Sequence, residues 1–196
     1  MIFEDKPITL KDGRTAILKS PCVEDAEKLL NYIKKACSET EFLLRYPEEW
    51  NINIEQEEAW INHLRSSSDT LGITCYIDGN ITGNCEIRFH GGIKTSHRAT
   101  VAIAILQDYW NLGIGSAMFE ALISAAENHG TEILELSFLK GNIRAQHLYE
   151  KYGFCIVAEI PNAFKLKDGT YLNEIHMQKS LSHFNLNICQ SAQDKL

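Results

Sequence analysis

Val101-Ala102-Ile103-Ala104-Ile105-Leu106-Gln107-Asp108-Tyr109-Trp110-Asn111-Leu112-Gly113-Ile114-Gly115-Ser116 is the stretch from which the fold is read. Val101, Ile103 and Ile105 alternate with Ala102 and Ala104, the pattern of a buried strand with small residues on one face. Ile114, Met118, Ala121, Leu122 and Ala125 then recur at the spacing of one helical face over Ile114–Asn128, and Gly130 stands where a helix end favours glycine. Gly113 and Gly115 mark the strand-to-helix turn between them. Glycine lets a backbone approach a ligand closely. The first N–H groups of a helix lack intrahelical partners, so with the helix dipole they attract an anion such as a phosphate. Two nucleotide-binding readings are excluded. A dinucleotide fingerprint would place a third glycine where Met118 stands, and no Gly-Lys-Ser/Thr follows.

Outward from this centre, helices alternate with strands. Asp12-Gly13 within Ile8–Leu18 predicts a tight turn between extended segments. Pro21 fits a first helical turn, after which Ala26, Leu29, Leu30, Ile33 and Cys37 form an apolar face. An irregular connection, Ser38–Asn53, leads to Asn53 and Gln56, a capping pair for a second helix through about Leu64. Gly72–Ile77 and Ile81–Phe89 read as a hairpin around Asp78-Gly79-Asn80, followed by a loop and the strand Arg98–Leu106. Downstream, Leu134, Leu136 and Phe138 alternate as a strand. Ala145, Leu148, Tyr149 and Tyr152 form a short helix ending at Gly153, and Cys155–Lys167 and Thr170–Ser180 are strands joined by Asp168-Gly169. Hairpins at both ends predict an α/β fold with a mixed sheet, one domain over residues 1–181 and a polar tail over 182–196.

The 196 residues carry 19 Lys and Arg against 26 Asp and Glu, a net charge of −7, which argues against a general nucleic-acid binder. Apolar runs are far short of the roughly 18 to 20 residues a bilayer span requires, and the acidic N-terminus lacks signal-peptide character. A cytoplasmic protein without a membrane partner is expected. Six cysteines without tight Cys or His spacing predict reduced, packed thiols, with neither a metal site nor a disulfide framework.

Two segments together resemble the GNAT (Gcn5-related N-acetyltransferase) superfamily, in particular its small bacterial members. Gly113 and Gly115 take the glycine places of its pyrophosphate motif, [Q/R]-x-x-G-x-[G/A]. Asn142, Ala145, Leu148, Tyr149, Gly153 and Phe154 match N-x-x-A-x-x-L-Y-x-x-x-G-F in full. The resemblance covers about Ile8 to Leu181. It implies a central splayed mixed sheet flanked by helices, with acetyl-CoA as co-substrate. The pantetheine arm would pair with Ile103, Ala104 and Ile105, and the pyrophosphate would lie against Trp110, Asn111, Leu112, Gly113, Ile114, Gly115 and Ser116. Trp110 departs from the pattern, standing where the family has Gln or Arg. Its N–H can serve a phosphate, but no guanidinium reaches one from there. Lys140 and Arg144 are further cations for the cofactor.

The resemblance makes Tyr149 the general acid. A phenol with a reference pKa of about 10 can return a proton to a leaving thiolate whose thiol has about 8.5. Asn142 orients the pantetheine or the tyrosine, or caps its helix. An ammonium must lose a proton before it attacks, and the central strand carries no carboxylate between His90 and Gln107. Glu86 and His97 are the candidates for this base, directly or through a water. Between Ser38 and Asn62 seven glutamates stand against Arg45 alone. Glu41, Glu48 and Glu49 in this stretch are the expected acceptor-binding residues for a cationic small-molecule or peptide amine, unless the stretch is simply a solvated face. The predicted function is direct acetyl transfer to a primary amine in a ternary complex, without a metal. The alternatives are a catalytically weak acyl-CoA-binding regulatory module and, less well supported, acylation through a cysteine. A homodimer is compatible with this reading.

Overall fold

Turn chemistry places the first hairpin as expected. Gly13 takes φ +88° at its tip, between β1 (Lys6–Thr9) and β2 (Thr15–Lys19). The computed structural model describes residues 1–181, so the predicted polar tail lies outside the described residues. In chain order there follow α1 (Ala26–Glu39), α2 (Ile54–Ser66), β3 (Thr70–Ile77), β4 (Asn80–Phe89), β5 (Arg98–Ile105), α3 (Ile114–His129), β6 (Ile133–Leu139), α4 (Ile143–Lys151), β7 (Cys155–Lys165) and β8 (Tyr171–Ser180). The hydrogen-bonded strand order is β1-β2-β3-β4-β5-β6-β8-β7. β5 and β6 run parallel while β1–β2, β2–β3, β3–β4, β6–β8 and β7–β8 are antiparallel, which is the expected mixed sheet. The parallel ladder joins Arg98–Thr100 to Ile133–Glu135, short for strands of this length.

The described residues divide into two compact units, and β5 and α3 each pass from one to the other. The first comprises Met1–Arg88 and Ala102–Leu122. In it α1 and α2 bury Leu29, Tyr32, Ala36 and Ile61 with Tyr76 and Ile81 of the sheet. Each fully buried large apolar side chain of this kind contributes roughly 1.5–3 kcal/mol. Ile33 packs half-buried against this core as read from the sequence, and Tyr32 beside it is buried as well, its hydroxyl finding partners on the strands. Leu64 of α2 fills the space over Gly72, where a Cβ would come within 2.6 Å of its methyl. Pro21 precedes a short 3-10 turn, Val23–Asp25, instead of opening the helix itself.

The second unit comprises Phe89–Val101 and the segment from Ile123 onward. Leu134, Leu136 and Phe138 of β6 are buried as their alternation predicted, with Ile175 and Met177 of β8. Within β5, Ala99 and Val101 are buried, but Ala102 is exposed and Ile103–Ile105 are half-buried. The expectation of a wholly buried strand therefore fails beyond Val101. Among the described residues Cys22, Cys37, Cys75 and Cys85 are free thiols. Among the described residues no helix is long and apolar enough to cross a membrane, and no His, Cys, Asp and Glu cluster could hold a metal ion.

Candidate active site

The glycine turn lies in the first unit and is built from residues 107–116. Gln107–Tyr109 close a 3-10 turn, Asn111 takes φ +63° and Gly113 φ +97°, and α3 starts at Ile114. Gly113 C=O accepts from Ala117 N–H (3.1 Å) and so opens the helix. The N–H groups of Ile114, Gly115 and Ser116 thus fall in the first turn, for which a helix offers no carbonyls. Three contacts brace the turn. Lys11 N–H donates to Leu112 C=O (3.0 Å), Gln107 N–H donates to the Glu39 carboxylate (2.7 Å), and the Trp110 indole N–H donates to Ile105 C=O (2.8 Å). Trp110 N–H, expected to serve a phosphate, donates instead to Gln107 C=O (3.1 Å), because the 3-10 turn needs it. Trp110 is a brace of this turn.

Behind the turn, Ile103, Ala104 and Ile105 are half-buried at the end of β5. Ala104 is held by a residue the sequence did not single out. The Tyr32 hydroxyl accepts from Asn84 N–H (3.1 Å) and lies 2.8 Å from Ala104 C=O and 2.9 Å from Asn84 Oδ1, one of which takes its proton. Tyr32 is 3% exposed, and burial pushes its phenol far above the ordinary range. Gly83 permits this close strand approach, since a Cβ there would lie 3.1 Å from Ala104 O and from the Ile105 side chain.

The second unit carries α4. Asn142 Oδ1 accepts from Ala145 N–H (3.2 Å), so the cap foreseen as one of its roles is formed. Tyr149 is 6% exposed, tilted against Phe138 and Phe154 with ring centroids 5.5 and 6.3 Å away. Burial pushes its phenol up to about 12, so it stays protonated at any ordinary pH. Lys140 is paired with Glu159 (2.7 Å).

The two base candidates occupy different surroundings. Glu86, half-buried on β4, meets Arg88 at 3.1 Å and lines a concave pocket with Trp60, His63, Leu64, Asp69 and Thr70. His97 is half-buried just before β5, at the end of that strand away from the glycine turn, and its carbonyl accepts from Glu132 and Ile133. A third carboxyl escaped the sequence reading. Glu57 of α2 is 6% exposed and burial raises its pKa; it sits one helical turn before the buried Ile61, a spacing that could have marked it.

Glu41, Glu48 and Glu49 all fall on the α1–α2 connection and are exposed. Glu49 accepts from Tyr46 N–H (2.6 Å), closing a short 3-10 turn. Trp50 pins the connection through its indole N–H to Cys37 Sγ (3.2 Å), and Arg45 lies over the Trp50 ring (4.8 Å).

Known proteins are similar to this chain in sequence and fold. The family described as Acetyltransferase (GNAT) family matches residues 35–154. The L-amino acid N-acetyltransferase AaaT of Escherichia coli (strain K12) is 25% identical over 124 residues, 63% of this chain and 76% of that protein. A solved acetyltransferase of the GNAT family from Streptococcus pneumoniae superposes with TM-score 0.79 at 25% identity, covering 85% of this chain and 99% of that one. The Salmonella typhimurium protein yncA, solved with its cofactor acetyl-CoA, superposes with TM-score 0.74 at 15% identity, covering 87% and 96%.

Proposed function

Since the chain belongs to the acetyltransferase (GNAT) family and is an N-acetyltransferase, we propose that it transfers acetyl from acetyl-CoA directly to the α-amine of a small acceptor, both substrates being bound together. The observation that carries the reading is the turn at Gly113, where a half-buried strand end runs through a positive φ straight into the first N–H groups of α3. Those features fit acetyl-CoA. The N–H groups of Gly113–Ser116, with Asn111 and Leu112 setting the bend, suit its pyrophosphate, and Ile103–Ile105 offer strand backbone to its pantetheine.

Acetyl-CoA supplies an acyl carbonyl already activated as a thioester. The chain's own residues must then move two protons. Glu86, which lines a pocket with an exposed aromatic, Trp60, takes one from the acceptor ammonium, directly or through a water. Tyr149 Oη gives one to the departing sulfur. With a phenol near 12 facing a thiol near 8.5, full transfer is uphill, so the proton moves as negative charge develops on sulfur. Arg88 beside Glu86 gives an acceptor carboxylate a partner. This agrees with the substrate class named for the Escherichia coli relative. Glu41 and Glu48 draw the acceptor's positive charge to this part of the first unit.

The test is a panel of amines scored by release of free CoA, with initial rates at crossed concentrations of donor and acceptor. Intersecting rate lines and release stimulated most by L-amino acids are expected. Parallel lines would overturn direct attack, and a preference for amines without a carboxylate would overturn the role of Arg88.

A further inference from the structure

Three cationic side chains stand against the glycine turn, and two of them are already matched. Lys35 lies between Asp108 (3.2 Å) and Glu39 (3.6 Å). Arg14 is held by Asp12 (2.7 Å), with its guanidinium 5.7 Å from the centre of the Tyr109 ring. Lys11 is the third. Its N–H is fixed on Leu112 C=O at 3.0 Å, and its Cγ is the one atom within 4 Å of where a Gly113 Cβ would stand. Among the described residues its ammonium makes no ion pair or hydrogen bond.

The hairpin fixes the place of this lysine. Leu10 N–H donates to Arg14 C=O (2.8 Å), Gly13 N–H donates to Leu10 C=O (3.0 Å), and Leu10 is 2% exposed. The Lys11 stem therefore lies over Gly113 while its charge stays in solvent. Electrostatics gives that charge a use. The chain has net charge −7, and the turn is flanked by the carboxylates of Glu39 and Asp108. N–H dipoles alone would face a doubly charged diphosphate there. Trp110, at the place the family pattern gives to Gln or Arg, has its indole N–H on Ile105 C=O and supplies no cation.

We infer that Lys11, reaching across from the β1–β2 hairpin, is a ligand of the donor's pyrophosphate and provides the positive charge that the turn itself lacks. The inference rests on the pyrophosphate assignment made above for Gly113–Ser116. Lys11 takes no part in the proton transfers, so it acts on donor affinity, in KM rather than kcat.

The experiment compares wild type, Lys11→Ala, Lys11→Glu and Lys11→Arg in direct binding of acetyl-CoA at low salt. It runs Gly113→Val alongside, and it uses acetyl-pantetheine and 3′-dephospho-acetyl-CoA as further donors. Lys11→Ala should weaken acetyl-CoA about tenfold, the effect of one charge-assisted contact, with Lys11→Glu worse and Lys11→Arg near wild type. The ratio should be the same for the 3′-dephospho donor and absent for acetyl-pantetheine, which has no diphosphate. It should approach unity near 1 M salt, where the Debye length is about 3 Å. Unchanged affinity in Lys11→Ala while Gly113→Val binds poorly would overturn the role of Lys11 and leave the turn assignment standing. Unchanged affinity in both would remove the turn assignment itself. A loss that persists with acetyl-pantetheine, or that vanishes with the 3′-dephospho donor, would equally overturn the inference.

Discussion

Tyr149 and Tyr32 are both buried phenols, yet one was legible in the sequence and the other was not. Tyr149 sits in a motif whose spacing is local, so its helix could be read there, and the role proposed for it comes from the family resemblance that the motif carries. Removing its hydroxyl while keeping the ring, Tyr149→Phe, should lower kcat about 100- to 10,000-fold, the usual worth of a general acid, and leave the acetyl-CoA KM within about twofold. Because its phenol is pushed up to about 12, ionisation of Tyr149 should cause no fall in rate between pH 8 and pH 10. A rate falling with an apparent pKa near the ordinary phenol value of about 10, and lost in Tyr149→Phe, would refute the assignment. Tyr32 was hidden because its partners, Asn84 and Ala104, are 52 and 72 residues away. Tyr32→Phe strands the Asn84 N–H and Ala104 C=O and should cost about 1–3 kcal/mol in urea unfolding.

At the scale of elements, the glycine turn and the cap of α4 each have a conformational requirement that a single substitution breaks. A virtual Cβ on Gly113 would meet the Lys11 Cγ at an ordinary 4.0 Å, so its need for glycine comes from φ +97°, a backbone region hostile to branched side chains. Gly113→Val should raise the acetyl-CoA KM at least tenfold, since forcing φ negative turns away the N–H groups proposed to meet the phosphate, while the circular-dichroism spectrum stays that of the wild type. Asn142→Ala removes the cap on Ala145 N–H and should lower stability by about 1 kcal/mol, seen as a shifted urea midpoint at unchanged slope. A variant with lower kcat but unshifted stability would instead give Asn142 the orienting role. These elements were legible because caps and turns are signalled within a few residues. The face of α1 read from the sequence packs inward but omitted Tyr32, since hydrophobicity alone does not tell that a buried hydroxyl will be satisfied.

Across the whole molecule, charge and protonation set two further expectations. On the proposed reading the acidic α1–α2 connection acts on a cationic acceptor through solvent, so raising salt from 0.1 to 1 M should raise the acceptor KM several-fold with little change in kcat, as the Debye length falls from about 10 to about 3 Å. A flat KM would make the connection a solvated face and nothing more. Burial raises the pKa values of the thiols of Cys22, Cys37, Cys75 and Cys85 and of the phenols of Tyr32, Tyr76 and Tyr149. Groups raised in the folded state stabilise it fully below their unfolded values and stop doing so as pH rises through the folded ones. Stability should therefore begin to decline above about pH 8.5 for the thiols and fall faster above about pH 10 for the phenols. Urea midpoints at pH 7, 9 and 10.5 that coincide would contradict this. The sequence by itself determined the order of elements, the mixed sheet, the glycine turn and Tyr149, because hydrophobic period, turn residues and motif spacing are encoded between near neighbours. Tertiary structure alone decided that Trp110 braces its own turn, that Tyr32 joins β4 to β5, that Glu86 lines a pocket beside Trp60, and that Lys11 lies over Gly113. Each of these depends on which distant segments the sheet brings to one place, and pairing between strands far apart in the chain leaves no local signal.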